Sequence, residues 1–125
     1  MARVFILEDS IPRIVKFTAA FINHTVTIAK TIEEAREKFC PPYDMIFLDH
    51  DLEDPDHPNP RPENTGSRFC EEFRDELNAS TGLIIIHSLN YDGRQKMLSL
   101  IPVALPITYL NLDLVQLASQ LTEAQ

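Results

Sequence analysis

The sequence is poor in cysteine and contains no long apolar run. Its two cysteines, Cys40 and Cys70, are too few for a disulfide framework and lack the spacing of a metal site. Both lie among apolar positions with helical spacing, so we expect buried thiols in a reducing cytoplasm. The longest apolar runs, Met45–Leu48 and Leu83–Ile86, are far shorter than the roughly 20 residues that cross a membrane. These shortages argue against a disulfide-stabilised protein and exclude a transmembrane helix.

Positive charge is also scarce. The 11 lysine and arginine residues are outnumbered by 19 aspartate and glutamate residues, which leaves a formal net charge of −8. This excess of negative charge repels a nucleic-acid backbone and argues against non-specific nucleic-acid binding. It does not exclude a small phosphate ligand held through a metal ion. Residues 1–9 carry no positive region ahead of an apolar stretch, so we expect no signal peptide.

The composition is that of an ordinary globular domain, with 44% apolar and 24% charged residues among 125 positions. It excludes disordered, collagen-like and coiled-coil proteins, and the length predicts a single domain over residues 1–125. One segment differs from the rest, because residues 53–65 contain four prolines, which exclude a helix or a central strand. We expect this segment to form an exposed proline-rich loop within the domain.

Short apolar segments alternate with segments of helical periodicity along the chain. Continuous apolar runs predict strands that are buried on both faces. The alternation of Val26 and Ile28 with threonines predicts an edge strand instead. The predicted strands are Val4–Leu7, 26–28, Met45–Leu48, Leu83–Ile86 and Ile107–Leu110.

The predicted helix starts carry capping signals. We expect Ser10 to cap the first helix, Thr31 with Glu34 to form a capping box, and Asp92 with Gln95 to cap the helix after the fourth strand. The first helix is predicted to bury one apolar stripe. That stripe consists of Ile11, Ile14, Val15, Ala19 and Ile22.

This alternation predicts an α/β protein. Five strand–helix units require a parallel sheet with right-handed crossovers and helices on both faces. The first, third and fourth strands are the most apolar and belong in the centre, whereas the mixed second strand belongs at an edge. We therefore predict a flavodoxin-like (βα)5 three-layer sandwich with strand order 2-1-3-4-5.

Acidic, imidazole and hydroxyl groups follow the three predicted central strands. They are Glu8 and Asp9 after the first strand, Asp49, His50 and Asp51 after the third, and His87, Ser88 and Asn90 after the fourth. Ligands of such sheets bind beyond the carboxyl ends of the strands, where the strand order reverses. Clustered carboxylates repel one another unless a cation lies among them. The sequence therefore predicts a divalent-metal pocket whose candidate ligands are Glu8, Asp9, Asp49 and Asp51.

This order of residues resembles the receiver domain of two-component response regulators over essentially the whole chain. In that family the acid pair and the aspartate after the third strand bind a magnesium ion. The aspartate also accepts a phosphoryl group, which a serine or threonine after the fourth strand contacts. The resemblance implies that Glu8, Asp9 and Asp49 hold the metal, that Asp49 is the phosphoacceptor and that Ser88 contacts the phosphate. A histidine kinase would then be a partner.

Two features depart from the usual receiver pattern. The family's lysine after the fifth strand is absent, because no lysine follows Lys96. Two histidines lie beside the predicted site, in the motifs Leu48-Asp-His-Asp-Leu52 and Ile86-His-Ser-Leu-Asn90. These motifs are similar to those of the cyclic-phosphate processing receiver domains, a divergent branch predicted to act on cyclic phosphate ends of nucleic acid. This resemblance implies catalytic roles for His87, His50, Ser88 and Asp49, and phosphate binding by Ser88 and Asn90.

The implied chemistry suits these residue types. Opening a 2′,3′-cyclic phosphate needs a base that activates water and an acid that protonates the leaving oxygen, and imidazole can do either near neutral pH. A metal would polarise the phosphoryl oxygens, and histidine beside carboxylates shifts the metal preference from magnesium towards manganese, iron or zinc. The residues leave open whether His50 and His87 are ligands or acid–base groups. Because neighbouring strand residues point to opposite faces, His50 has the alternative of lying away from the pocket.

Three functions remain open from the sequence. The first is a metal-dependent phosphoesterase that acts on a phosphate-bearing small ligand or a nucleic-acid end. The second is a single-domain response regulator phosphorylated on Asp49 in a phosphorelay, and the third is a degenerate receiver that serves as a binding module. We expect a cytoplasmic protein without membrane contact. The apolar stretch Ile101–Ile107 offers a homodimer or partner surface, although ordinary packing explains it equally well.

Overall fold

The computed structural model, which describes residues 1–53 and 63–124, contains one parallel five-stranded sheet in the order β2-β1-β3-β4-β5. This confirms the predicted flavodoxin-like topology. Residues 54–62 of the predicted proline-rich loop lie outside the described residues. The strands are β1 (Arg3–Leu7), β2 (Thr25–Ala29), β3 (Met45–Leu48), β4 (Leu83–Ile86) and β5 (Leu105–Pro106).

Helices follow the strands in the order that the pattern predicts. They are α1 (Ile11–Ala20), α2 (Ile32–Lys38), α3 (Gly66–Glu72), α4 (Arg74–Asn78), α5 (Tyr91–Leu100) and α6 (Leu114–Ala124). The segment predicted as one third helix is divided into α3 and α4 at Phe73, where φ is −111°. Within the described part of the chain, no helix is long and apolar enough to cross a bilayer.

The sheet carries an apolar core on each face because successive strand residues point to opposite sides. On one face, Phe5 of β1 packs in a cluster with Phe69 of α3 and Met97 of α5. On the opposite face, Val4 of β1 shares a cluster with Phe17 of α1. The three layers therefore hold the carboxyl ends of the central strands in fixed positions.

Helix α1 turns a different stripe towards the sheet from the one predicted. Ile11, Val15 and Ile22 are 55%, 60% and 75% exposed, whereas Phe17 and Phe21 are fully buried. The two phenylalanine rings bury more apolar area than the aliphatic side chains, so they determine the rotation of the helix. The predicted aliphatic stripe is therefore wrong.

The fifth strand also lies earlier than predicted. It occupies Leu105–Pro106, and part of the predicted segment Ile107–Leu110 forms a 3-10 turn at Tyr109–Asn111. A two-residue edge strand tolerates Pro106, which has no backbone N–H for a further strand to accept. Beyond the strand, the Tyr109 N–H donates to the carbonyl of His87 at 2.9 Å, so the chain still runs beside the end of β4.

Only one of the predicted helix caps is confirmed by its side-chain bond. The Thr31 hydroxyl accepts the Glu34 N–H at 3.2 Å. Ser10 stands at the N-cap of α1, but its side chain makes no capping bond. Helix α5 is capped by Asn90 rather than Asp92, because Asn90 has the extended backbone of an N-cap and its side-chain oxygen accepts an N–H of the first turn at 3.0 Å.

The cysteines differ in burial. Cys70 is buried in α3, as predicted, whereas Cys40 is exposed. The expectation of two buried thiols is wrong for Cys40 because Phe39, one residue earlier, occupies the buried position at the end of α2.

Candidate functional site

The backbone pairing places Glu8, Asp49 and His87 side by side at the carboxyl edge of the sheet. The Asp49 N–H donates to the carbonyl of Leu7 and the His87 N–H to that of Leu48, both at 3.0 Å, which extends the pairing of β1, β3 and β4 by one residue. The three residues are buried, with 0%, 6% and 0% exposure respectively. One ligand atom from each lies within 4.8 Å of the other two. These three predicted site residues are thus brought together.

The Glu8 carboxylate is surrounded by donors from the protein itself. Its Oε1 lies 3.0 Å from His87 Nε2 and 3.5 Å from an Arg13 guanidinium nitrogen. Its Oε2 accepts the backbone N–H groups of Asp9 and Ser10 at 3.0 and 3.1 Å. These contacts hold the Glu8 carboxylate in one position, and the Arg13 guanidinium of α1 compensates part of its negative charge.

His87 contacts Glu8 and has no exposed surface. Its ring packs against those of Phe17 and Tyr109, with centroid distances of 5.5 and 6.3 Å, and these two rings also contact each other at 5.9 Å. Nε2 contacts Glu8, and Nδ1 has no partner among the residues that the structure describes. This geometry favours action through Glu8, while the predicted catalytic role of His87 stays a prediction.

The electrostatics of the pocket separate its carboxylates. Burial raises the pKa of Asp49, and the charge of Glu8 raises it further, to about 8. Burial and Glu8 likewise raise the pKa of Asp9 to about 6. Burial also opposes ionisation of Glu8, but hydrogen bonds from His87 and the Ser10 backbone outweigh it and lower the pKa of Glu8 to about 2. For His87, burial lowers the pKa against the opposing effect of Glu8.

This donor set fits a divalent cation. Carboxylate oxygens and an imidazole nitrogen are ligands for magnesium, manganese and related metals. A cation would relieve the repulsion that raises the pKa values of Asp9 and Asp49. Asp9 is half-buried at the rim, where its Oδ2 accepts the Glu53 N–H at 2.9 Å. Glu8, Asp49 and His87 are the described residues whose ligand atoms lie close enough together to hold a metal. Asp9, a predicted metal ligand, lies outside this three-residue group, and its metal-binding role stays a prediction.

His50 and Asp51 form a second cluster beside the first. His50 Nδ1 lies 2.8 Å from Asp51 Oδ1, and the Asn90 side-chain amide donates to both Asp51 oxygens at 3.2 and 3.3 Å. The His50 N–H donates to Asp49 Oδ1 at 2.9 Å, which joins the two clusters. Asp51, a predicted metal ligand, thus contacts the His50 imidazole. It lies outside the metal-capable group of Glu8, Asp49 and His87.

Gly93 allows His50 to lie against the start of α5. A Cβ on Gly93 would come within 2.4–2.7 Å of three atoms of the His50 ring, so only glycine permits this approach. The ring is thereby held between α5 and Asp51, and its side chain is 15% exposed. The contacts of the His50 ring are thus with Asp51, Asn90 and Gly93, and its orientation towards the metal pocket stays a prediction.

Ser88 and Asn90 complete the segment after β4. Ser88 is buried, and its hydroxyl oxygen accepts the Asn90 N–H at 3.1 Å. The Asn90 side chain is divided between capping α5 and donating to Asp51. Phosphate binding by these two residues stays a prediction.

Sequence reasoning overlooked Arg13, Gly93 and Tyr109. Arg13 lies in the first turn of the helix that follows the acid pair, and Gly93 lies in a helix, where glycine is unfavourable. These two sequence features could have indicated that Arg13 lies near the acid pair and that Gly93 makes a close contact. Tyr109 carried no such signal, because its contact with Arg13 depends on the tertiary structure.

The fold is that of known response-regulator receivers. The chain matches a receiver-domain protein from Methanospirillum hungatei with a TM-score of 0.67 and 15% identity, covering 99% of this chain and 93% of that one. It matches the Thermotoga maritima response regulator TrrA, solved with Mg²⁺ and beryllofluoride, with a TM-score of 0.63 and 19% identity over all of both chains. The cyanobacterial phytochrome response regulator RcpA, solved in phosphorylated form, gives 0.64 and 20%, covering 98% and 90%. No curated protein sequence matches this chain.

Fold and sequence together define a receiver domain of the response-regulator type. Residues 5–102 match the family model described as the cyclic-phosphate processing receiver domain. The chain belongs to that family.

Proposed function

We propose that this receiver domain opens cyclic phosphate ends by metal-assisted phosphoester hydrolysis. The observation that carries the proposal is the contact of His50 Nδ1 with Asp51 at 2.8 Å, in the two residues that directly follow Asp49 and whose first backbone N–H donates to its carboxylate. A carboxylate on one ring nitrogen fixes the tautomer and leaves Nε2 for proton transfer. An aspartate that only accepts a phosphoryl group has no need of this pair.

Asp9 and Asp49 would hold the divalent cation on the side of the pocket that retains exposed surface. When bound, such a cation polarises the phosphoryl oxygens and orients the phosphate. Glu8 is already engaged by His87 and Arg13, so it supports the ligand set from behind. His87 acts as a positioning residue for Glu8.

The protein residues then have distinct tasks. His50 Nε2 accepts a proton from the attacking water, and Asp51 stabilises the imidazolium that results. As the new P–O bond forms, one ring P–O bond breaks, and the proton returns to the leaving ribose oxygen, giving a phosphomonoester. Ser88, whose oxygen already accepts the Asn90 N–H, retains its own hydroxyl proton for a phosphate oxygen.

The test is phosphorus NMR of the purified protein with a 2′,3′-cyclic nucleotide and Mn²⁺. We expect wild type to convert it to a monophosphate and His50→Gln to be slower by about 100-fold or more, which is the usual contribution of an acid–base group. His24→Gln is the matched control, because His24 lies just before β2 at the opposite edge of the sheet. Equal rates for wild type and His50→Gln would overturn the proposal.

The alternative is phosphoacceptor signalling through Asp49. The buried position of Asp49 beside Glu8 favours it, as does the similarity to TrrA, which was solved with Mg²⁺ and beryllofluoride. Stable labelling by acetyl phosphate that disappears in Asp49→Asn, without turnover of cyclic nucleotide, would support this function instead.

A further inference from the structure

Arg13 places a positive charge against the acidic pocket from the α1 side. Its guanidinium nitrogen lies 3.5 Å from Glu8 Oε1, and its Cζ lies 4.5 Å from the centroid of the Tyr109 ring. The Arg13 side chain is 24% exposed, whereas that of Glu8 is fully buried. Arg13 therefore reaches from solvent to the wall of the pocket and is held there by an aromatic face.

The position of the Arg13 charge matters because the lysine that receivers carry after the fifth strand is missing from this chain. No lysine or arginine follows Lys96 in the sequence, so the chain after β5 supplies none. Arg94, after β4, has a nitrogen bound to the carbonyl of Ser88 at 2.7 Å and stacks on Tyr91. Tyr109, which follows β5, offers its ring to Arg13 instead.

The contact with Glu8 leaves most of the guanidinium available. A guanidinium has five N–H donors, and Glu8 Oε1 already has a closer partner in His87 Nε2 at 3.0 Å. The cation–π contact with Tyr109 holds the group in place without using any donor. The two parallel donors of a guanidinium bind two oxygens of a phosphate at once, which a lysine ammonium cannot do.

We propose that Arg13, held by Tyr109, is the anion-binding cation of this pocket and receives the non-bridging oxygens of the phosphoryl ligand. This inference rests on the proposed phosphate-binding function. It assigns to α1 the positive charge that receivers are expected to supply after the fifth strand. A cyclic phosphodiester has two such oxygens, which match the two parallel donors of the guanidinium.

The test measures binding of beryllofluoride in the presence of saturating Mg²⁺, by fluorine NMR. We expect Arg13→Gln to bind beryllofluoride at least about tenfold more weakly than wild type, as expected for loss of a charge-assisted hydrogen bond. Mn²⁺ should bind Arg13→Gln at least as tightly as wild type, because a neighbouring positive charge is gone. Lys16→Gln is the matched control, since it removes the same charge from an exposed site on the same helix.

Substitutions of Tyr109 separate positioning from charge. Tyr109→Phe keeps the aromatic face and should bind beryllofluoride as wild type does, whereas Tyr109→Leu should bind it several-fold more weakly. If Arg13→Gln does not fold, Arg13→Lys keeps the charge beside Glu8 and tests the two-donor contact. Beryllofluoride binding equal to wild type in Arg13→Gln, or in Arg13→Lys where only that variant folds, would overturn the inference.

This experiment also distinguishes the inference from the proposed hydrolysis. If wild type opens no cyclic phosphate but binds beryllofluoride through Arg13, the assignment of Arg13 holds and the hydrolytic function falls. If wild type opens cyclic phosphate at a rate that Arg13→Gln shares, the hydrolytic function holds and the assignment of Arg13 falls. Absence of beryllofluoride binding by wild type in Mg²⁺ would also overturn it.

Discussion

At the residue scale, folding strongly alters the ionisation of Asp49. Its pKa rises from an ordinary 3.8 to about 8 through burial and the charge of Glu8. Glu8 is affected in the opposite sense, with a pKa lowered from 4.5 to about 2. The folded protein therefore keeps one proton on Asp49 across a wide pH range in which an unfolded chain would lose it.

This difference predicts a pH-dependent stability of the metal-free protein. Between about pH 7 and 8 the folded state keeps a proton on Asp49 that the unfolded state has lost, so in chelator the free energy of unfolding should fall as pH rises, by about 1 kcal/mol per pH unit. Below the ordinary histidine pKa of 6.5, His87 contributes the opposite sign, because its folded-state pKa is lowered. Asp49→Asn should flatten most of this slope. Glu8 contributes the opposite sign only as pH falls from about 4.5 towards 2. Urea unfolding at several pH values measures the slope, and a flat wild-type profile contradicts the prediction.

At the scale of the element, the start of α5 organises the second cluster. Asn90 caps the helix through the Gly93 N–H and donates to Asp51, while Gly93 leaves space for the ring of His50. One turn of helix thus holds both members of the imidazole–carboxylate pair. The position of His50 could not be read from the sequence, because it depends on this tertiary contact.

Asn90→Ala should therefore affect both stability and activity. Loss of the cap should cost about 1 kcal/mol of unfolding free energy. Hydrolysis of the cyclic nucleotide should slow by about tenfold or more, because Asp51 loses its amide donor and the geometry loosens. Thr31→Ala is the matched control, since Thr31 caps α2 in the same manner. It should lose similar stability and keep its hydrolytic rate; an equal rate loss in both variants would show that α5 has no special role.

At the scale of the whole molecule, three central strands deliver acidic and imidazole groups to one edge while the chain carries a net charge of −8. A divalent cation bound there would reduce local repulsion and the overall negative charge together. Binding to the folded state alone would then stabilise the entire domain.

We therefore expect Mn²⁺ to raise the thermal unfolding midpoint and EDTA to reverse the effect. At a cation concentration about 100 times the dissociation constant, the gain in unfolding free energy is about 3 kcal/mol. Asp9→Asn should lose much of this gain. Asp75→Asn, an exposed carboxylate on α4, should keep it. A midpoint that does not respond to Mn²⁺ would contradict a metal site.

The sequence predicted the topology because β1, β3 and β4 are continuous apolar runs bounded by polar residues. It misplaced β5, because the apolar run Ile107–Leu110 follows rather than forms the strand. Helix α1 offered two apolar stripes, and the choice between them depended on packing with Phe47, which the periodicity does not contain. The convergence of Glu8, Asp49 and His87 could be predicted from the topology. The buried contact between the His87 ring and Glu8 could not, because it depends on side-chain packing.

Asn64 has a consequence for protein engineering. Its side-chain oxygen accepts the Ile32 N–H at 2.9 Å, its amide donates to the Leu52 carbonyl at 2.8 Å, and Asp51 pairs with Thr65 beside it. These contacts hold the backbone in place just before and just after residues 54–62, and none of them involves a residue of that segment. The segment is therefore a suitable insertion point for a reporter or affinity module, because the two anchored ends keep a graft from displacing the neighbouring imidazole–carboxylate pair.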